Sequence, residues 1–277
     1  MQQHIDIYGG LGNQMFQYAL YLSKKNQGHN VVPDISLFRS DKKHLMHNGF
    51  ELDKIFALNP SVAFHSSLFD QYLIKIALKL NLGFLISKDS VFGGYQENLK
   101  ASNKLHLHGY WQSEKYFADV VDRLRSEFTF KNIDETNMAL SREMNDDSEY
   151  TSISLHVRRG DYVNYNMKLL GKDYYEKAIN YIQSKVKNPK FYIFSDDMNA
   201  AIKIVESTGA AYTPITMNSG ADSYKDMYLM SQCKHNIIAN SSFSWWGAWL
   251  NCNPQKMVLA PDWGKDFICD NWIVIKG

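Results

Sequence analysis

The chain has 277 residues and carries 30 basic against 29 acidic side chains, a formal net charge of +1, which argues against DNA or RNA as a main partner. Hydrophobic residues make up 45 % and charged residues 21 %, which excludes a disordered chain; the length suits two domains or one large α/β unit. The cysteines, Cys233, Cys252 and Cys269, form no C-x-x-C pair, so neither a disulfide framework nor a zinc knuckle is indicated and a reducing compartment is favoured.

The opening residues Met1 to Asp6 show neither a basic n-region nor a long apolar run, so no signal peptide is expected and a cytoplasmic protein is the default reading. His4–Tyr8 reads as a strand, followed by a glycine-rich turn and a helix over about Asn13–Asn26. Asn30–Pro33 follows as the next strand. The period predicts a helix over Asp70–Leu80 with Tyr72, Leu73, Ile76 and Leu80 on one stripe and Lys75 and Lys79 off it. The apolar stretch Leu68 to Ile86 is interrupted by Asp70, Lys75, Lys79 and Asn81, short of the roughly 20 apolar residues of a bilayer span. Peripheral membrane contact through it stays open. Lys104–His108 alternates like a strand; Glu114–Phe128 and Glu135–Asn145 read as helices. The polar run from Asn145 to Glu149 suggests a boundary between domains 1–148 and 149–277. Beyond it, Ser152–Val157 reads as a strand. A helix follows over Tyr174 to about Val186, with Asp173 and Glu176 in a capping-box pattern at its start. Phe191–Phe194, Met198–Ser207, Ser223–Gln232, Asn236–Ala239, Phe243–Leu250 and Met257–Ala260 continue the alternation of strand and helix. That rhythm predicts parallel sheets with right-handed crossovers and ligands at the carboxyl ends of the strands.

Four segments bear chemistry. In Gly9-Gly10-Leu11-Gly12-Asn13-Gln14-Met15, glycines after a strand permit a tight turn and a helix N-terminus faces an anion. Gly10-x-Gly12 fits two glycines of a dinucleotide fingerprint, and Asp34 lies at the spacing of a ribose contact, but Met15 stands where the third small residue belongs. Asn13 and Gln14 are amides suited to a hydroxyl-rich ligand. His156-Val157-Arg158-Arg159-Gly160-Asp161 brings an imidazole, two guanidinium forks suited to phosphate and a carboxylate to a strand end; one arginine is expected in a surface pair with an acid. In Phe194-Ser195-Asp196-Asp197 an acid suits a guanine edge, and Ser195 with acids behind it suits a helix N-cap; a metal held by the two aspartates is disfavoured because no further acid is near in sequence. Asn240-Ser241-Ser242-Phe243-Ser244 opens the apolar helix that contains Trp245, Trp246 and Trp249. Its hydroxyls and N–H groups suit a pyrophosphate; Trp246 and Trp249 are assigned to the core, and Trp245 stays open between core and sugar contact. No H-E-x-x-H, G-x-S-x-G or phosphate-loop pattern occurs.

Together, Gly10 to Met15, His156 to Tyr162 and the block from Asp226 through Cys233 to Asn240-Ser241-Ser242-Phe243 resemble the α1,2-fucosyltransferases of glycosyltransferase family 11. The resemblance implies a GT-B fold, α/β with two Rossmann-like lobes whose parallel sheets face across a cleft. The N-terminal lobe would be on the acceptor side and the C-terminal lobe would bind the donor. It implies GDP-β-L-fucose as donor, a galactose 2-hydroxyl in a bacterial surface glycan as acceptor, inversion in one displacement, and no metal or other cofactor. By the same resemblance Arg158 grips the β-phosphate, His156 lies beside the guanosine, and Asp196 or Asp197, rather Asp197, reads the guanine. Gly10, Gly12, Asn240, Ser241, Ser242, Phe243 and Ser244 complete the donor contacts, and Asn13 faces the reaction from the other lobe. The general base is assigned to Asp161, with Asp173 as the alternative and the leaving phosphate as a third proton acceptor. A nicotinamide-dependent oxidoreductase using Gly9–Asn13 and a non-catalytic glycan-binding protein are the rival readings.

Overall fold

A computed structural model describes residues 2–39, 48–89, 94–146, 148–159, 169–264 and 266–276. The chain forms two compact units, residues 1–131 with 264–269, and residues 132–263 with 270–277. The division therefore falls between Lys131 and Asn132, not near residue 148. The helix before the polar run at 145–149 belongs to the second unit: its Met144 is buried among Tyr192, Phe194, Leu229, Met230 and Cys233. Polarity at 145–149 marks a connection inside that unit.

The first unit contains β1 (Gln3–Asp6), α1 (Leu11–Asn26), β2 (Val31–Asp34), α2 (Leu52–Ile55), α3 (Leu68–Lys79), β3 (Ile86–Lys88), α4 (Glu97–Lys100), β4 (His106–His108) and α5 (Val121–Glu127). Its four strands are parallel in the order β2-β1-β4-β3. Ile5, Ile7 and Leu107 are fully buried. On the alternate positions stand His4, Asp6, Asp34, His106 and His108, brought to one face by the pairings His4↔His106 and Asp6↔Asp34. Buried charge must be paired. Accordingly His4 Nδ1 lies 2.6 Å from Asp34 Oδ2, His106 Nδ1 2.8 Å from Asp6 Oδ1, and His108 Nδ1 3.0 Å from Asp6 Oδ2. The predicted helix over 114–128 is broken into two 3₁₀ turns and α5, because Phe117 (φ −137°) and Val120 (φ −132°) leave the helical region.

The second unit contains α6 (Glu135–Asn145), β5 (Thr151–Val157), α7 (Lys172–Lys185), β6 (Pro189–Ser195), α8 (Met198–Glu206), β7 (Ala211–Pro214), α9 (Tyr224–Gln232), β8 (His235–Ile237), α10 (Ser242–Leu250), β9 (Val258–Pro261) and β10 (Ile273–Ile275). All six strands are parallel in the order β10-β9-β8-β5-β6-β7. Numbered from β5, this is the 3-2-1-4-5-6 order of a doubly wound nucleotide-binding sheet, and the chain reverses direction across the sheet between β5 and β8. One face is packed by Ile153, Leu155, Val157, Ile179, Ile182, Ile193 and Ile204. Helix α7 starts at an N-cap Gly171 without a side-chain cap, so Asp173 does not form the expected capping box; Glu176 instead pairs with Lys172 at 3.0 Å. Trp245, Trp246 and Trp249 are all core: Trp245 is fully buried and packs edge-on against Trp246, at 4.9 Å between ring centroids. No helix among the described residues is long and apolar enough to cross a membrane.

Candidate active site

In a doubly wound sheet the helices on either side of the reversal diverge and leave a crevice at the carboxyl ends of the flanking strands. Here those strands are β5 and β8, joined by the pairing Leu155↔Ile237. His156 stands in the last pleat of β5, and Arg158 and Arg159 follow its end; beyond β8 come Asn240 and Ser241. The ring centroids of His156 and Phe243 are 6.1 Å apart, which brings the two motifs to one place. The N-terminus of α10, the positive end of its dipole, points to the same end of the sheet.

Arg158 is held there. Its Nη1 lies 3.1 Å from Asp196 Oδ2, with about a quarter of each side chain exposed. The other oxygen of Asp196 accepts from the Arg159 backbone N–H at 2.8 Å. Asp196 thus ties the loop after β5 to the loop after β6 and orients a guanidinium. Asp197 is the N-cap of α8, accepting from Ala200 N at 3.1 Å, and its second oxygen lies 3.6 Å from Arg159 Nε. Ser195, expected as that cap, instead donates to Val157 O at 2.7 Å and accepts from Asp197 N at 3.0 Å. Both arginines, not one, are paired with acids.

His156 is buried, and its Nδ1 has no hydrogen-bond partner among the described residues. Burial pushes its pKa down to about 3; the Arg158 charge adds to this and Asp196 opposes it. At neutral pH the ring is therefore uncharged. In the turn after β8, the Ser241 side chain caps α10 by accepting from Phe243 N at 3.3 Å. Ser244, expected on the ligand wall, is buried and fastens the turn: its Oγ accepts from Ala239 N at 3.3 Å and donates to Ser241 O at 3.4 Å. Ser242 and Phe243 are half-buried and Asn240 is buried. Asp161 lies outside the described residues, and Asp173 is exposed in the first turn of α7. Asp226 on α9, which opens one of the matched motifs but was given no role there, is also perturbed. Burial raises its pKa to about 7, although Asn218 Nδ2 donates to it at 2.8 Å.

The glycine turn lies in the first unit. Gly9 has φ +80°, a conformation that favours glycine, and Gly10 is the N-cap of α1. Gln14 and Gln17 lock this turn. Gln14 is fully buried, donating to Gly9 O and Gly49 O at 2.8 Å each and accepting from Glu51 N at 3.0 Å. It is a structural staple, not a ligand amide. Gln17 bridges the ends of β1 and β4, accepting from Tyr8 N and donating to Gly109 O at 2.9 Å each. Asn13 accepts from Gln112 Nε2 at 2.9 Å. Asp34, the acid a dinucleotide site would need, is buried and bonded to His4 and to Ser36 N, and Met15 fills the core. The nicotinamide reading loses both supports.

Among the described residues two groups could hold a metal ion by donor type: His4, Asp34, His65 and Asp70, and Asp6, Asp34 and His106, each with ligand atoms within 4.8 Å of one another. In the first, His65 Nε2 also lies 2.6 Å from Asp70 Oδ2. The paired contacts at 2.6–2.8 Å are those of hydrogen-bonded His–Asp pairs, while His65 Nε2 stands 3.9 Å from Asp34 Oδ2.

A sequence profile described as glycosyl transferase family 11 matches residues 2–271. The chain belongs to glycosyltransferase family 11. This glycosyltransferase is 35 % identical over 266 residues to an α-1,2-colitosyltransferase of Escherichia coli, covering 91 % of this chain and 89 % of that one. It is 32 % identical to the O-antigen biosynthesis glycosyltransferase WbnK of Escherichia coli, with 91 % of both chains covered. The mouse galactoside 2-alpha-L-fucosyltransferase Sec1 is 28 % identical over 150 residues, 51 % of this chain and 41 % of that one. The solved structure of the NodZ alpha-1,6-fucosyltransferase soaked with GDP-fucose superposes with a TM-score of 0.52 at 17 % identity, covering 90 % of this chain and 92 % of that one. That similarity shows the GT-B type of fold.

Proposed function

We propose that this glycosyltransferase is an inverting α1,2-fucosyltransferase that moves L-fucose from GDP-β-L-fucose to the 2-hydroxyl of a galactose in a bacterial surface glycan, on the cytoplasmic side. The observation that carries this reading is Arg158, fixed by Asp196 at the end of β5 beside the N-terminus of α10. The family and the names of its relatives, one acting at galactose and one in O-antigen assembly, support it.

In this reading the acceptor oxygen attacks the anomeric carbon as the bond from that carbon to the β-phosphate oxygen breaks. Negative charge grows on the departing GDP, and a preorganised guanidinium with a helix N-terminus stabilises it. The acceptor proton passes to a carboxylate, for which Asp161 is the first choice and Asp173 the second, or to the leaving phosphate. Neutral His156 and half-buried Ser242 and Phe243 supply nucleotide contacts, with Asn240 and Ser241 shaping the turn. Asp197 caps α8 and contributes to the nucleotide end through Arg159. Gly10, Gly12 and Asn13 are assigned their roles by the family resemblance. No metal takes part.

A second reading concerns the donor. The relative at 35 % identity is named a colitosyltransferase, and colitose is L-fucose without its 3-hydroxyl. A site that hydrogen-bonds that hydroxyl discriminates strongly, by about 10⁴-fold or more, whereas a site that ignores it accepts both sugars. The test is incubation with GDP-fucose or GDP-colitose, lactose or N-acetyllactosamine, and excess EDTA, followed by linkage analysis of the product. An α1,2-linked fucosyl product formed in EDTA supports the proposal. Transfer from GDP-colitose alone, a different linkage, or transfer only with added metal refutes the corresponding part.

A further inference from the structure

Helix α3 inverts the usual arrangement of an amphipathic helix. Its buried side consists of Gln71, Ile74 and Ala77, and the last two pack with Ile86 and Leu37. The large apolar residues face solvent: Leu68 is 52 % exposed, Phe69 74 %, Tyr72 62 % and Ile76 51 %, and the stripe continues through Leu80 at 61 % and Phe84 at 73 %. At 3.6 residues per turn, the residues 68, 69, 72, 76 and 80 fall within about 120° of the helix surface. Exposed apolar residues scattered singly need no explanation, but five on one side of a helix, with Phe84 exposed just beyond its end, mark an interaction surface.

The charges beside the strip say what covers it. Lys75 and Lys79 lie along its edge and are exposed, and Lys88, whose Nζ is 3.1 Å from Asn81 Oδ1, stands just past its end. The acid of the helix, Asp70, is turned inward onto His65. A second copy of the chain, paired through this face about a two-fold axis, would set these lysines against each other. A lipid surface with phosphate headgroups takes both parts at once: aromatic and aliphatic tips enter the acyl boundary while the lysine stems reach up to the anions. We propose that the α3 face, from Leu68 to Phe84, docks this protein onto an anionic phospholipid surface.

The experiment is sedimentation of the full chain with vesicles of phosphatidylcholine alone or mixed with phosphatidylglycerol, beside light scattering of the protein in solution. The probe variants are F69S/I76S/F84S and K75E/K79E, whose side chains are exposed; circular dichroism checks their fold. Wild type is expected to partition onto the anionic vesicles about tenfold more strongly than onto neutral ones, with binding that falls as salt rises. The triple serine variant should lose binding about tenfold, and the charge-reversed variant should lose the preference for anionic lipid. Wild type remaining in the supernatant with anionic vesicles overturns the proposal. So does a triple variant that binds like wild type, or a wild-type dimer that the triple variant dissociates. The readout is binding, so it stands whether or not the assigned donor and acceptor are correct.

Discussion

Replacing Arg158 by alanine should cut turnover about 10²–10³-fold, the loss found when one preorganised donor to a developing anion is removed, or about 3–4 kcal/mol of barrier. Asp196→Asn probes the same device one step back. The amide still accepts from the Arg159 N–H, now at 2.8 Å, but its oxygen no longer offers a charge to the Arg158 guanidinium at 3.1 Å. Both partners are about a quarter exposed, so the pair itself contributes under about 1 kcal/mol to stability and the variant folds. The cost falls on orientation: a guanidinium free to swing reaches the leaving phosphate less often, and a loss of about tenfold in turnover is expected. If Asp196 acts through Arg158, Asp196→Asn costs nothing further once Arg158 is alanine, a coupling of about 1.4 kcal/mol in the double-mutant cycle. The assay is kcat and KM from GDP release, with calorimetric Kd for GDP. Losses that simply multiply in the double variant, or an Arg158→Ala enzyme with wild-type kcat, would refute the reasoning.

Asp226 has its folded pKa raised to about 7 from 3.8, so the fold favours its protonated form and stability declines as pH rises through that interval. At 1.36 kcal/mol per pH unit the cost above pH 7 is at most about 4 kcal/mol. Asp226→Asn should therefore unfold at higher urea than wild type at pH 8 and match it near pH 4; equal midpoints at both would exclude the effect. His106 behaves differently. Burial lowers its pKa, but the hydrogen bond and charge of Asp6, with Asp34 and Asp70, outweigh it and raise the net value above 6.5. Its contribution is full below pH 6.5 and is lost as pH climbs through the folded value. His106→Asn should flatten the alkaline limb of a plot of Tm against pH, and an unchanged limb counts against the network. Gly247→Ala adds a Cβ 2.9 Å from Met230 Cβ and 3.2 Å from its sulfur, where α10 meets α9. Overpacking of about 1–3 kcal/mol should exceed the roughly 1 kcal/mol of helix propensity gained; thermal denaturation of wild type and variant checks this.

Several features of this protein are readable along the chain because they are local. The period of 2 in His4-Ile5-Asp6-Ile7-Tyr8, the glycines at 9 and 10 and the apolar period of the following segment specify a strand, a tight turn and a helix from neighbouring residues alone. The same holds for the arginines after Val157 and the Asn–Ser turn before α10, since a strand end and a helix start are positions in sequence. Short edge strands β3, β7 and β10 were not readable: β7 has the burial pattern of a surface segment, and its pairing is supplied by β6. Nor was the division after Lys131, which depends on where Met144 packs.

Tertiary structure alone decided which polar residues are spent on the fold and which are left for chemistry. Gln14, Ser244 and Asp34 have the same donors and acceptors as true ligand contacts, and only their partners, some 35 or more residues away for Gln14 with Gly49, reveal them as staples. That Asp196 holds Arg158 is visible only in the fold for the same reason. The α3 stripe was visible as a stripe, but a helical period states only that two faces differ. Which face turns inward is settled by the sheet it packs on, and here the smaller residues went in.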